Sequence, residues 1–353
     1  MWLPRWRKMQ PWLPEPGENS TMNTRTRREW LLQSGMALAS IGLSGFAGAL
    51  AEESTHEGEA KGEQKKPGRR RFRAALSCSA IGVPADQMQS LEYAIKYGFE
   101  AIEPQPEFLA RLSDDELAGL REKMKAHNVG WSAAGVPVDF RGSIERFTST
   151  LRGFPKYCEV LQRAGVDRLG TYLSPTSRDL TYLQNFRLHA KRLRAIADIV
   201  GCYGMRLGLE YVGPKKSWSA GRYPFIHTLR EMKELIAEID HPCVGFTLDS
   251  WHWYTAGETR EDLLGLRGDQ VIVVHLNDAP AGIPVDEQLD SVRELPCATG
   301  VIDLKGFLSA LVEIGFDGPA YIEPFKRELR QLPPEQAVRV TAEAMRKALA
   351  LVE

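Results

Sequence analysis

Val244-Gly245-Phe246-Thr247-Leu248-Asp249 with Ser250-Trp251-His252, and Val271-Ile272-Val273-Val274-His275 with Leu276-Asn277-Asp278, set the reading of this chain. Each is a short apolar, β-branched run that stops at a polar residue able to bind a metal. A continuous apolar run of this length suits a strand covered on both faces of a parallel sheet. A polar residue at its C-terminal end then stands at the rim where such sheets bind ligands. Two further runs end alike. Arg206-Leu207-Gly208-Leu209 delivers Glu210, and Ala320-Tyr321-Ile322 delivers Glu323 ahead of Pro324-Phe325. Glu210, Asp249, His275 and Glu323 are thus four candidate metal ligands from four strand ends.

Working outward, the pattern repeats as apolar run, polar loop and helix-period segment. Strands are expected at Ala74–Ser79, Ala101–Glu103, Val129–Ala134, Arg168–Tyr172, Arg206–Tyr211, Gly245–Asp249, Val271–His275 and Ala320–Glu323. Helices are expected from Asp86 to Tyr97, from the Ser113-Asp114-Asp115-Glu116 capping box to His127, and over Ile144–Ala164 and Thr181–Cys202. Pro224–Ile239, Arg260–Leu266, Leu304–Ile314 and Pro334–Leu351 follow. Such alternation predicts an α/β fold, a single-domain (β/α)8 TIM barrel over residues 72–353, with a doubly wound open sheet as the competing architecture. Ser79-Ala80-Ile81-Gly82-Val83-Pro84 after the first strand lacks a glycine-rich phosphate fingerprint. The ligands also end four successive strands, which a closed barrel aims at one axis. Both points favour the barrel.

The front of the chain reads differently. Residues 1–51 form a leader and a signal peptide: Arg27-Arg28 precedes the small-residue apolar run Met36–Leu50, which closes in Ala49-Leu50-Ala51. Paired arginines before a mildly apolar segment resemble the twin-arginine export signal, which implies an exported, periplasmic protein; Met22 is an alternative start. The apolar run is shorter than the ~20 residues a spanning helix needs, so no stable membrane span is expected after cleavage. Residues 52–71 are charged, without apolar periodicity, and read as a disordered tether ending in the solvated run Arg69–Arg71.

A formal net charge of −1 with 26% charged residues removes the basic footprint of a nucleic-acid binder. The odd count of 5 cysteines, without paired spacing, argues against a disulfide framework.

Three carboxylates and an imidazole make a hard, oxygen-rich site. It favours Mn2+ first, with Mg2+, Co2+, Fe2+ or Zn2+ also accommodated. Such an ion polarises a carbonyl, and a neighbouring glutamate can then take the α-proton while a second returns it. Glu210 and Glu323 are the expected catalytic pair; isomerisation, epimerisation and β-elimination all begin with that transfer.

Leu209-Glu210-Tyr211, Leu248-Asp249-Ser250-Trp251-His252, Val274-His275-Leu276-Asn277-Asp278 and Ile322-Glu323-Pro324-Phe325 resemble the xylose isomerase-like barrels. The resemblance is to the group holding D-tagatose 3-epimerase, hydroxypyruvate isomerase and inosose dehydratase, and Gly300-Val301-Ile302-Asp303 fits that group's loop before the seventh helix. It implies metal ligands at Glu210, Asp249, His275 and Glu323, an acid/base pair at Glu210 and Glu323, and a substrate contact at His252. Several epimerases of the group carry an arginine shortly after the seventh-strand histidine. Asn277-Asp278-Ala279-Pro280-Ala281-Gly282 stands there instead, which tilts the expectation toward a lyase. Export favours a free sugar, glycoside or keto-sugar over a phosphorylated one.

Each ligand has an ordinary alternative as a strand-end residue capping the next helix. Glu103 reads equally as a sugar-hydroxyl contact or a rim hydrogen bond. Trp251, with Trp131, Trp218 and Trp253, could wall a sugar site or simply pack. Lys215, Lys216 and Arg141 read as solvated loop charges rather than anion or sugar contacts. The expected activity is a metal-dependent sugar or keto-sugar isomerase/epimerase working through an enediolate, on a small carbohydrate substrate; a homo-oligomer is compatible with it. The alternatives are a lyase on the same barrel (dehydratase or keto-glycoside elimination), a non-catalytic sugar-binding protein, and a phosphodiesterase like the barrels that cut abasic DNA.

Overall fold

The computed structural model describes residues 69–353. The expected signal peptide, residues 1–51, and most of the expected tether, residues 52–71, lie outside the described residues. Among the described residues, eleven strands and eleven α-helices follow one another in the order below.

Strand β1 (Arg73–Leu76) leads to α1 (Gln87–Tyr97), β2 (Ala101–Ile102), α2 (Pro106–Leu109) and α3 (Asp114–Ala126). Next come β3 (Gly130–Trp131), β4 (Ala134–Gly135), α4 (Ile144–Ala164), β5 (Arg168–Tyr172), β6 (Thr176–Ser177) and α5 (Tyr182–Cys202). Then β7 (Arg206–Glu210), α6 (Lys215–Trp218), β8 (Tyr223–Pro224), α7 (Leu229–Ile239), β9 (Val244–Asp249), α8 (Ser250–Thr255) and α9 (Arg260–Leu264). The chain ends through β10 (Val271–Leu276), α10 (Leu304–Glu313), β11 (Pro319–Ile322) and α11 (Pro334–Leu349).

The main sheet runs β3-β2-β1-β11-β10-β9-β7-β5-β4, and every pairing in it is parallel. Its two end strands, β3 and β4, are consecutive pieces of one stretch joined by Ser132-Ala133. The first piece pairs with β2 and the second with β5. The sheet therefore closes on itself through a broken third barrel strand, and the molecule is a TIM barrel.

Local chemistry starts the helices where the sequence suggests. The Asp86 carboxylate accepts the Gln89 amide at 2.8 Å while Gln89 returns the bond to the Asp86 amide at 3.0 Å. Ser113 with Glu116 and Thr259 with Asp262 do the same for α3 and α9. The apolar faces then follow helical spacing: α7 buries Leu229, Met232, Leu235 and Ile239 against the barrel. Truncating one such side chain to alanine costs about 2–5 kcal/mol.

Several boundaries differ from expectation. Helix α7 begins at Leu229, not Pro224, because Tyr223–Pro224 pairs antiparallel with Thr176–Ser177 and the Thr228 hydroxyl caps the helix. The third strand breaks in the middle. Helix α8 follows β9 without a loop.

Arg69–Arg71 is not a freely solvated run. Arg70 pairs with Glu100 at 2.7 Å and with Glu353 at 3.3 Å, so the two ends of the described chain meet at one guanidinium. That clasp lies beside the start of β1, at the barrel end opposite the strand termini that carry the ligands: the Glu100 carboxylate also accepts the Ala74 amide at 2.7 Å.

Candidate active site

In a strand, alternate side chains share a face. On β7 that face carries Gly208 and Glu210, on β9 Gly245, Thr247 and Asp249, on β10 Val273 and His275, and on β11 Tyr321 and then Glu323. Glu103, Tyr172, Glu210, Thr247, Val273, His275, Tyr321 and Glu323 line one cavity of about 160 Å3 at the C-terminal mouth. One donor atom from each of Glu210, Asp249, His275 and Glu323 lies within 4.8 Å of the other three. His275 Nδ1 is 3.0 Å from Glu210 Oε1, 3.6 Å from Glu323 Oε2 and 3.8 Å from Asp249 Oδ2.

Burial and the surrounding charges act against each other here. Burial alone would lower the His275 pKa, but the Glu210 and Glu323 carboxylates outweigh it and push the imidazole up to about 9. Glu323 is held above the usual carboxylate range, by burial first and then by Glu210 and Asp249, against the pull of His275 and Arg293. Asp249 is also deeply buried, yet Arg293, His252 and His275 hold it below its ordinary value.

The four residues fit a divalent cation. Glu210 Oε1 and His275 Nδ1 are buried without a hydrogen-bond partner although they are 3.0 Å apart. Buried polar atoms left so are costly unless something satisfies them. Three carboxylates and one imidazole suit a hard or borderline ion.

Asp249 caps a helix and also faces the cluster. Its Oδ1 accepts the Trp251 amide at 2.8 Å, capping α8, and the Asn277 amide group at 2.9 Å, while Oδ2 faces the cluster. The cap starts α8 directly from β9 and so carries His252 into the site. There its Nε2 lies 3.9 Å from both Glu210 Oε1 and Asp249 Oδ2. Burial and the nearby Arg293 cation keep this imidazole below its ordinary value.

Glu103 lines the cavity, and its Oε2 accepts the Ser77 and Ser79 hydroxyls, each at 2.7 Å. Trp251 does not wall the cavity. It is 0% exposed, with Arg293 over its ring at 5.5 Å. Trp131, Trp218 and Trp253 do not line the cavity either. Trp131 donates to the Ala164 carbonyl, Trp253 to the Thr259 carbonyl, and Trp218 stacks on His227. Lys215 and Lys216 are ion-paired with Asp286 at 2.5 Å and Glu287 at 2.6 Å, joining two rim loops. Arg141 is half-buried between the Phe140 and Tyr172 rings, each 4.2 Å away.

Two site residues escape the sequence reading. The first is Arg293. No arginine follows His275 closely in the sequence, but Arg293, farther along the same loop, reaches the cluster. Its Nη1 lies 2.8 Å from Asp249 Oδ2 and 3.3 Å from Glu323 Oε2, and its Nη2 lies 3.4 Å from His252 Nε2. Nothing in the irregular stretch around it has a period that would single it out. The second is Tyr321, whose ring sits 4.4 Å from that of His275. Its position two residues before Glu323 on one strand was a usable signal.

Residues 91–348 match the family described as xylose isomerase-like TIM barrel. The chain belongs to that family. It is 27% identical over 261 residues to an inosose isomerase of Bacillus velezensis, covering 72% of this chain and 89% of that protein. It is 28% identical over 218 residues to a 3-dehydroshikimate dehydratase of Pseudomonas putida, covering 61% of this chain and 32% of the relative. Among solved structures, the IOLI protein with a binding zinc atom superposes with a TM-score of 0.67 at 24% identity, covering 80% of this chain and 99% of that one.

Proposed function

We propose that this protein is a divalent-metal-dependent isomerase or epimerase of a free sugar or keto-sugar. The observation that carries the reading is the four-residue cluster at the barrel mouth, in which one donor atom from each of Glu210, Asp249, His275 and Glu323 lies within 4.8 Å of the others. Glu210, Asp249, His275 and Glu323 would hold the ion, which when bound supplies Lewis-acid polarisation of the substrate carbonyl. Mn2+ suits the oxygen-rich donors best, and the zinc in the IOLI protein makes Zn2+ the next choice to test. Glu210 takes the proton from the carbon α to the carbonyl, and Glu323, on the other side of His275, returns one. His252 and Glu103 orient substrate hydroxyls. Arg293, a buried permanent cation, favours the anionic enediolate and restrains Asp249 and Glu323.

A lyase is the second reading, favoured by the similarity to a dehydratase. It shares the first proton abstraction and differs in the fate of the carbanion.

Solvent-exchange NMR tests both readings. The protein with Mn2+ or Zn2+ is incubated in D2O with ketoses, aldoses and 3-keto-glycosides. Deuterium should enter at the carbon α to the carbonyl, be lost with EDTA, and fall at least a hundredfold in Glu210→Gln and in Glu323→Gln. Wild-type exchange in either variant removes that glutamate from the mechanism. Recovery of an isomer or of an elimination product separates the two readings.

Export through a twin-arginine signal belongs to the same proposal. Residues 1–51 fused to a reporter that matures only after folded export should route it to the periplasm, and Arg27→Lys/Arg28→Lys should retain it in the cytoplasm. Among the described residues, no helix is long and apolar enough to cross a membrane.

A further inference from the structure

The loop between β10 and α10, residues 277–303, is longer than most connections in compact domains, and loops of that length are usually functional or disordered. This one carries Arg293. A guanidinium on such a loop reaches the Asp249 and Glu323 carboxylates only if the loop is held at fixed points, since a free segment spreads over many conformations.

One buried side chain holds both ends. Asp278 is 0% exposed, and its carboxylate accepts four backbone N–H groups. Oδ1 takes Ala279 at 2.8 Å and Ile302 at 3.0 Å, and Oδ2 takes Thr299 at 3.0 Å and Gly300 at 2.8 Å. Charge-assisted bonds of this kind are the strong ones. The Asp278 backbone also exchanges two hydrogen bonds with Glu294, each 2.8 Å, as an isolated antiparallel bridge. Glu294 follows Arg293 in the chain, so the bridge sets the backbone from which the guanidinium springs. Lys326 then ties the Glu294 carboxylate to the neighbouring rim loop at 2.6 Å.

Asp290 accepts the Arg293 Nη2 donor at 2.8 Å from within the same loop, and we propose that Asp278 is the positioning residue that holds this loop, and with it Arg293, in place. It gathers the two ends of this loop and fixes the residue beside Arg293, so that the guanidinium stays between Asp249 and Glu323. The proposal rests on the site reading above, but its first test is independent of turnover.

Phenylglyoxal labelling followed by peptide mass analysis reads the exposure of each arginine in the folded protein. In wild type, Arg293 should label at least tenfold more slowly than surface arginines. In Asp278→Ala its rate should rise at least tenfold while buried Arg192, 6% exposed and remote from this loop, stays protected. Asp278→Asn, which keeps the shape and loses the charge, should fall between the two. If Arg293 stays protected in Asp278→Ala, the proposal fails. If Arg192 labels in step with Arg293, Asp278 supports the whole fold and the proposal equally fails. Should neither variant fold, amide exchange in wild type decides. Thr299, Gly300 and Glu294 should be protected together, and exchange at unfolded-chain rates overturns the assignment. Where turnover is measured, Asp278→Ala and Arg293→Met should lower kcat by similar factors, and the double variant no further. Failure to find any substrate leaves the labelling result standing.

Discussion

Glu258 shows at the scale of one residue how burial becomes a pH dependence. Its carboxylate accepts the Tyr211 hydroxyl and, at 2.5 Å, the Leu229 amide, and burial pushes its pKa from 4.5 to about 7. Between about pH 4.5 and pH 7 the folded protein keeps a proton that the unfolded chain has released. Stability therefore falls as pH rises through that window and is level above it. Glu258→Gln cannot ionise and can still meet both partners. It should match wild type near pH 4.5 and exceed it at pH 8 by about 3 kcal/mol, read from denaturant unfolding curves. Parallel curves at the two pH values would show that Glu258 does not titrate between them. Glu258 was invisible in the sequence because its isolation from solvent is made by α7 and β7, not by its neighbours in the chain. The four cluster residues were visible for the opposite reason: each ends an apolar run, and a strand end fixes where its side chain must go. Arg293 has no such local mark.

At the scale of elements, the β-branched runs identify the barrel strands and their order, because a strand covered on both faces leaves a continuous apolar signature. The breaks are less legible. Nothing in Val129–Ala134 announces that its two pieces pair with different neighbours, and the β6–β8 pair depends on segments far apart in sequence. Helix α8 could have been foreseen from the Asp249 cap, had that residue not been read chiefly as a ligand. Strand β9 also carries a constraint hidden in its glycine. A Cβ on Gly245 would stand 2.2 Å from the Gln270 carbonyl oxygen and 2.9 Å from Ile272 Cδ1. A backbone carbonyl cannot yield as a flexible side chain does, so Gly245→Ala should destabilise by about 3 kcal/mol. Thermal unfolding should show Tm lowered by roughly 5–10 °C. An unchanged Tm would mean that β9 and β10 sit farther apart than described.

At the scale of the whole molecule, any ion held by the cluster must stabilise the fold, because the unfolded chain offers no such site. Mn2+ or Zn2+ at a hundred times Kd adds about 2.7 kcal/mol, enough to raise Tm by roughly 5–10 °C. EDTA should reverse the rise, and Asp249→Asn or His275→Ala should abolish it. A Tm indifferent to both ions in wild type would argue against a metal centre without any assay of turnover. The clasp that Arg70 makes with Glu100 and Glu353 has a different consequence. With the first and last described residues side by side and the mouth that holds the cluster at the other end, the barrel has a handle and a working end. A surface, a carrier or a fused partner attached at residue 69 or at Glu353 leaves the mouth facing outward. The same nearness lets a short linker join Glu353 to residue 69, so that the ring can be opened anew in an exposed loop on the handle side, giving a permuted chain with the same catalytic end.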